Sequence, residues 1–351
     1  MLVALDLTGD VIAYSYHDGS SIVTEYLRYI VGFRTKDLFQ DEAGLTAVLR
    51  VAKDMIECTG VVITETIFAV PVYCNYAGRE RVKKAAQACG MKVRTMIKGA
   101  LASALGLYQT AALDGKTVFL CNVHSNYAEY LLFHVDGEVL RVHGSTTIAF
   151  TKEAAVEDAN NLLKKTLDEL KALYAELGMT VGEKDEELYI MADENAGPAG
   201  ALFPRIMEAS FAKTPTSIEN EISKGALSLL MKLADFRCDQ IRKCFLVDCC
   251  VEGISIGSGV GGDLQEVFKR NTELPVQNTV NLSISYDNVL CFYAGNYRNR
   301  DYDEPIGTCR IPEQYRSQTV HVKITLNEEG IVEYVVLDKN RQVIYPRRVL
   351  S

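Results

Sequence analysis

Three stretches hold side chains whose type and spacing raise the question of chemistry. Ser255 to Gly262 (SIGSGVGG) is the richest glycine run. A phosphate-binding loop needs a strand before it and a helix N-terminus after it, whose free N–H groups carry the anion. Here Asp263 to Phe268 leads into β-structure, so the run is a loop between strands. Cys121, His124, His134 and His143 fall within one predicted meander. No element supplies ligands paired at i,i+2 or i,i+4, which leaves them as strand-face side chains and predicts no metal site. None of the 10 cysteines has a histidine at a nucleophile's spacing, and Gly257-Ser258-Gly259 only approaches the Gly-x-Ser-x-Gly pattern. No hydrolase emerges.

The elements that must position any site come from a chain of 351 residues, 48% hydrophobic and 24% charged, with formal charge -9. Such a chain can bury a sizeable core, and its length favours two or three domains. The 37 Lys and Arg are spread along it, so neither nucleic acid nor anionic lipid is an expected partner. No apolar run reaches the ~18 residues of a membrane span, and no signal-peptide core opens the sequence; a cytoplasmic protein with reduced thiols is expected.

The pattern is α/β at first. Residues 2–7 and part of 21–32 predict strands, and apolar residues at helical spacing predict a helix over 45–58, stopped by Thr59-Gly60. Strand 66–72, helix 79–89, strand 92–96 and helix 97–109 follow. Residues 117–123, 129–135 and 138–143 predict a meander, its last two strands joined at Asp136-Gly137. Helix 153–177, strand 188–192, helix 197–211 and a longer helical stretch over 219–244 complete this half. After the apolar run CFLVDCCVE at 244–252, which suits either a docking segment or a first strand, short alternating strands predict an all-β domain, of which a sandwich is the expected form.

Residues 70–90 (VPVYCNYAGRERVKKAAQACG) carry Val70, Pro71, Tyr73, Asn75, Ala77, Arg79 and Gly90 in one register. With the following MKVRTMIKGALASALGLY they resemble the DnaK-like seventy-kilodalton heat-shock chaperones. RNTELP (270–275), IGTCRIPE (306–313) and VKITLNEEGIVEYVVLDKN (322–340) resemble that family's β-domain. The resemblance implies an actin-like (ribonuclease H-like) nucleotide-binding-type domain over 1–243 with reduced outer subdomains, an apolar linker at 244–250, and a β-sandwich peptide-binding-type domain over 251–348. No helical lid is expected, since the sequence ends at Ser351.

The nucleotide positions of that family do not carry over. Its first phosphate loop matches Asp6, Leu7, Thr8, Gly9 and Asp10, so Asp6, Thr8 and Gly9 remain as cofactor-binding vestiges beside a second acid. Its second loop falls on Asn122 to Tyr127, which hold no glycine. Lys98 to Leu101 and Ala192 to Asn195 replace a metal-linked carboxylate and a glycine turn. Catalytic residues and metal ligands are therefore not expected, nor is a cofactor, with ATP or ADP and magnesium reserved for a retained pocket. In the β-domain the resemblance implies a peptide-binding arch at Val260 opposite Ser285, with Leu282 and Leu290 lining the pocket or filling an ordinary core. Pro71 and Arg79 match a pair that couples nucleotide state to the β-domain in the family; by residue type alone they are a rigid strand end and an exposed helix charge.

The expected function is that of a chaperone-like protein binding polypeptide or another chaperone through its β-domain, with ATP hydrolysis weakened or lost. An ATPase with an atypical pocket and a structural complex subunit with no open groove are the alternatives.

Overall fold

The computed structural model describes residues 1–28, 38–74, 76–151, 159–182, 185–193, 195–236, 238, 241–250, 253–259, 263–295, 305–327 and 332–350. They form two compact units, Met1–Leu246 and Val247–Ser351.

The first unit repeats one arrangement twice. In its first half, strands β1 (Leu2–Asp6), β2 (Ile12–His17) and β3 (Ile22–Leu27) form an antiparallel ribbon. Helix α1 (Glu42–Cys58), β4 (Glu65–Val70), α2 (Tyr76–Ala88), β5 (Val93–Lys98) and α3 (Gly99–Thr110) follow. β4 runs parallel to β1 and β5 parallel to β4, giving the order β3-β2-β1-β4-β5.

The second half has β6 (Thr117–Val123), β7 (Tyr127–Asp136), β8 (Val139–Ala149), α4 (Ala159–Glu176), β9 (Glu187–Ala192), α5 (Pro198–Phe211), β10 (Thr216–Ile218) and α6 (Ile222–Leu233). Its sheet reads β8-β7-β6-β9-β10 with the same strand directions. A short strand, β11 (Phe245–Val247), adds at the β8 edge. This doubled order is that of an actin-like domain.

Each half buries its own core on helical periodicity. In α1, Leu45, Leu49, Ala52 and Ile56 face the first sheet, and the Asp41 side chain accepts the Ala43 N–H as N-cap. In α4, Leu162, Thr166, Leu170, Leu173 and Tyr174 face the second. Where the halves meet, α3 is buried along Gly99 to Tyr108, which fits its small residues. α6 crosses it so closely that a Cβ on Gly225 would sit 1.8 Å from the Ala102 carbonyl oxygen, and one on Gly106 would sit 2.4 Å from that of Glu221. The two glycines set the helix separation.

The second unit holds two four-stranded antiparallel sheets. One orders β13 (Leu264–Phe268), β12 (Gly253–Ser258), β15 (Val289–Gly295) and β16 (Gly307–Arg310); the other orders β14 (Val276–Ser283), β17 (Thr319–Leu326), β18 (Val332–Leu337) and β19 (Val343–Val349). β17 alternates, with Val320, Val322, Ile324 and Leu326 buried. Phe292 of β15 and Tyr334 of β18 bring their rings to 4.9 Å.

Several expectations need correction. Ser255 to Ser258 belong to strand β12 rather than to a loop. The helix expected over 219–244 is only α6, because Asp235 turns left-handed (φ 51°) and ends it. The expected exposed charge at Arg79 is buried: its guanidinium donates from Nε to the Cys74 carbonyl at 3.3 Å, closing the turn that Pro71 begins. No described helix is long and apolar enough to cross a membrane.

Candidate functional site

Residues from the stretches that the resemblance aligns with phosphate or metal positions meet between the halves of the first unit. Asp6 ends β1 and is buried. Its carboxylate folds back onto its own loop, accepting the Thr8 N–H at 2.9 Å and the Thr8 hydroxyl at 2.6 Å. Asn220, before α6, donates to its other oxygen at 3.4 Å.

From the second half, the Tyr127 hydroxyl donates to the Thr8 carbonyl at 2.6 Å. The Tyr127 ring stacks on His124 at 4.3 Å and meets Tyr73 edge-on at 4.9 Å. His124 Nδ1 lies 2.7 Å from Asp193 Oδ2. That carboxylate in turn closes on Gly9, where a Cβ would come within 2.7 Å of Asp193 Oδ2. The acid that crowds the first loop is thus Asp193, contributed by the second half.

Glu129, fully buried on β7, crosses to the first half and accepts the Val72 N–H at 2.7 Å and the Ala100 N–H at the start of α3. Gly99 leaves room for this, since a Cβ there would lie 2.5 Å from Thr8 Cγ2 and 3.3 Å from Glu129 Oε2. Asn122, directly across from Glu129 on β6, is also fully buried. Its amide, His124 Nε2 and Glu129 Oε2 have no hydrogen-bond partner among the described residues, which is costly for buried polar atoms.

The electrostatics follow from three carboxyls packed around one imidazole. Burial raises Asp6 to about 6 against the Thr8 hydrogen bonds, with the Asp193 charge adding to the rise. Burial also raises Glu129. For His124, burial alone would lower the pKa, but the Asp193 charge and hydrogen bond, with Glu129 and Asp6, outweigh it and hold the imidazole up at about 9. The charged imidazolium is the form this pocket favours.

Where the resemblance implies a phosphate loop, the Thr8 N–H is taken by Asp6, the Thr8 carbonyl by the Tyr127 hydroxyl, and the Asp193 carboxylate stands against Gly9, an arrangement ill suited to a polyphosphate. Among the described residues no group of three or more His, Cys, Asp or Glu could hold a metal ion. His134 and His143 lie 6.4 Å apart by ring centroid, with Thr117 on His134 Nδ1 at 3.2 Å.

Asp6, Thr8 and Gly9 are therefore brought together with Asn122, His124, Tyr127 and Asp193. Glu129 and Asn220 were not expected there. The signal for Glu129 is legible afterwards as a lone acid inside an apolar strand.

In the second unit the implied groove residues sit on both sheets. Val260 lies outside the described residues. Leu282 on β14 is buried opposite Val320, and Leu290 on β15 is buried opposite Ser258, in the other sheet. The Ser285 N–H donates to the Ser258 hydroxyl oxygen at 2.6 Å, its hydroxyl donates to Asp287, and it lies against Gly259.

No family model matches the sequence, and no curated protein matches it. Among solved structures, the ethanolamine utilization protein EutJ from Carboxydothermus hydrogenoformans is similar, with a TM-score of 0.44 and 12% identity over 65% of this chain and 88% of that one.

Proposed function

We propose that this chain is a nucleotide-independent relative of the DnaK-like chaperones: an actin-like unit whose phosphate loops are closed by its own side chains, and a sandwich-type second unit that binds polypeptide or another chaperone. The observation that carries the first part is the set of links across the former cleft: Tyr127 to Thr8, Asp193 against Gly9 and Glu129 to Val72. An open nucleotide cycle needs these surfaces to part and close around phosphate, and each link favours the closed state.

The binding part rests on the resemblance of residues 270–340. Without a nucleotide cycle, polypeptide should exchange quickly. Fluorescence anisotropy with a labelled, extended apolar peptide tests this. We expect saturable binding whose affinity and dissociation rate are the same with and without Mg·ATP. A Mg·ATP-dependent change in dissociation rate would count against nucleotide independence.

The burial of Leu282 and Leu290 favours a second reading, a structural subunit with a closed groove. It predicts no peptide binding at all and recovery of one stoichiometric partner.

A further inference from the structure

A cavity opens beside the core of the second half of the first unit, lined by none of the residues of the site described above. Leu170 and Tyr174 of α4 belong to that core and are about 1% exposed. After α4, Gly178 turns left-handed (φ 67°), and Met179 and Val181 fold back over the helix only half-buried. Between them lies the cavity, of about 210 Å³, with Lys171 and Ser210 of α5 also on its lining.

Its chemistry is one-sided. Leu170, Met179, Val181 and the Tyr174 ring make the walls apolar, and the Ser210 hydroxyl is occupied by the Ile206 carbonyl at 2.7 Å. Lys171 is exposed and has no ion-pair partner among the described residues. At ~30 Å³ per water-sized group, the volume takes about seven such groups, less than a drug-sized ligand needs. An apolar chain would gain from leaving water, and a negative head group would meet Lys171, the charged side chain of the lining, while the buried Glu186 lies behind the Tyr174 hydroxyl.

We propose that this cavity binds a small amphiphilic carboxylate, its hydrocarbon part of about five to seven carbons against Leu170, Tyr174, Met179 and Val181 and its carboxylate on Lys171. The proposal does not depend on whether the cleft binds nucleotide.

The test follows the Met179 methyl signal by NMR of the methionine-methyl-labelled full chain during titration with hexanoate, 1-hexanol and hexylamine. We expect saturable shifts with hexanoate, binding about five-fold tighter than 1-hexanol, as for a solvent-exposed ion pair, and weakest binding for hexylamine. Lys171→Met should remove the preference for hexanoate while retaining hexanol binding. Ser210→Phe, or Leu167→Phe should that variant not fold, should abolish the Met179 response to all three. A Met179 signal that does not move at any soluble hexanoate concentration overturns the proposal. So does equal affinity for hexanoate and hexanol, or a preference that survives Lys171→Met.

Discussion

Gly225→Ala should destabilise the first unit by about 3 kcal/mol or more, lowering its thermal midpoint by roughly 10 °C. Alanine is the better helix former by ~1 kcal/mol, so on an isolated helix the change would help. Here the added methyl would lie 1.8 Å from the Ala102 oxygen and 2.5 Å from the Gly106 nitrogen, both main-chain atoms of α3 that no rotamer change can move aside. The helices must separate, opening the packing of α3 and α6 against both sheets. Gly200→Ala in α5 is the matched control. Its Cβ would meet only Ala196 and Ala192 methyls at 3.5 and 3.6 Å, ordinary contact distances, so it should be neutral or stabilising. Thermal unfolding of the two variants side by side separates helix propensity from helix crossing. Equal midpoints would show that α3 and α6 do not cross as closely as described.

His124→Gln should cost about 3 kcal/mol near pH 7, because it leaves the Asp193 carboxylate without its charged partner beside two other buried acids. It should also change the pH dependence of stability. The folded-state pKa of His124, about 9, lies above its unfolded value near 6.5. The stabilisation is therefore complete below about pH 6.5 and is lost as pH rises through 9, a change on the order of 3 kcal/mol. The buried Asp6 acts in the same sense at lower pH: raised to about 6, its ionisation costs stability as pH climbs from about 4 to 6. Urea unfolding of the parent chain should give a midpoint that falls between pH 6.5 and 9, and the His124→Gln profile should be nearly flat there. A parent profile rising over that interval would mean that the imidazole is not held charged.

Much of the first unit was legible in the sequence because its strands and helices are long and strongly patterned. The strand at 117–123 and the helix ending at Cys58 are where hydrophobic spacing puts them. The duplication was not legible, since its two copies share topology rather than residues. β2 escaped because Tyr14, Ser15 and Tyr16 mix polar and aromatic groups, and both faces of that strand are nevertheless buried against neighbours. β10 is three residues long with two exposed side chains, too short for any period. Arg79 shows the limit of residue type as a guide to exposure, because a main-chain carbonyl supplies the partner that makes its burial tolerable.

At the candidate site, the loss of glycine from 122–127 and the extra acids were visible, but their consequence depended on distance. Asp10 was the acid expected to crowd the first loop, whereas Asp193, nearly two hundred positions away, is the one against Gly9. Long-range pairing of this kind has no local signature. Glu129 was hidden for a different reason: an acid at the centre of an apolar strand violates the pattern that defines the strand, and the His124 charge with the Val72 and Ala100 N–H groups accounts for the exception.

Calorimetric titration of the full chain with ATP in the presence of magnesium bears most directly on whether the chain's own side chains have closed the cleft. The predicted result is heat indistinguishable from dilution up to millimolar nucleotide. A saturable micromolar isotherm, weakened by Asp6→Asn, would contradict it.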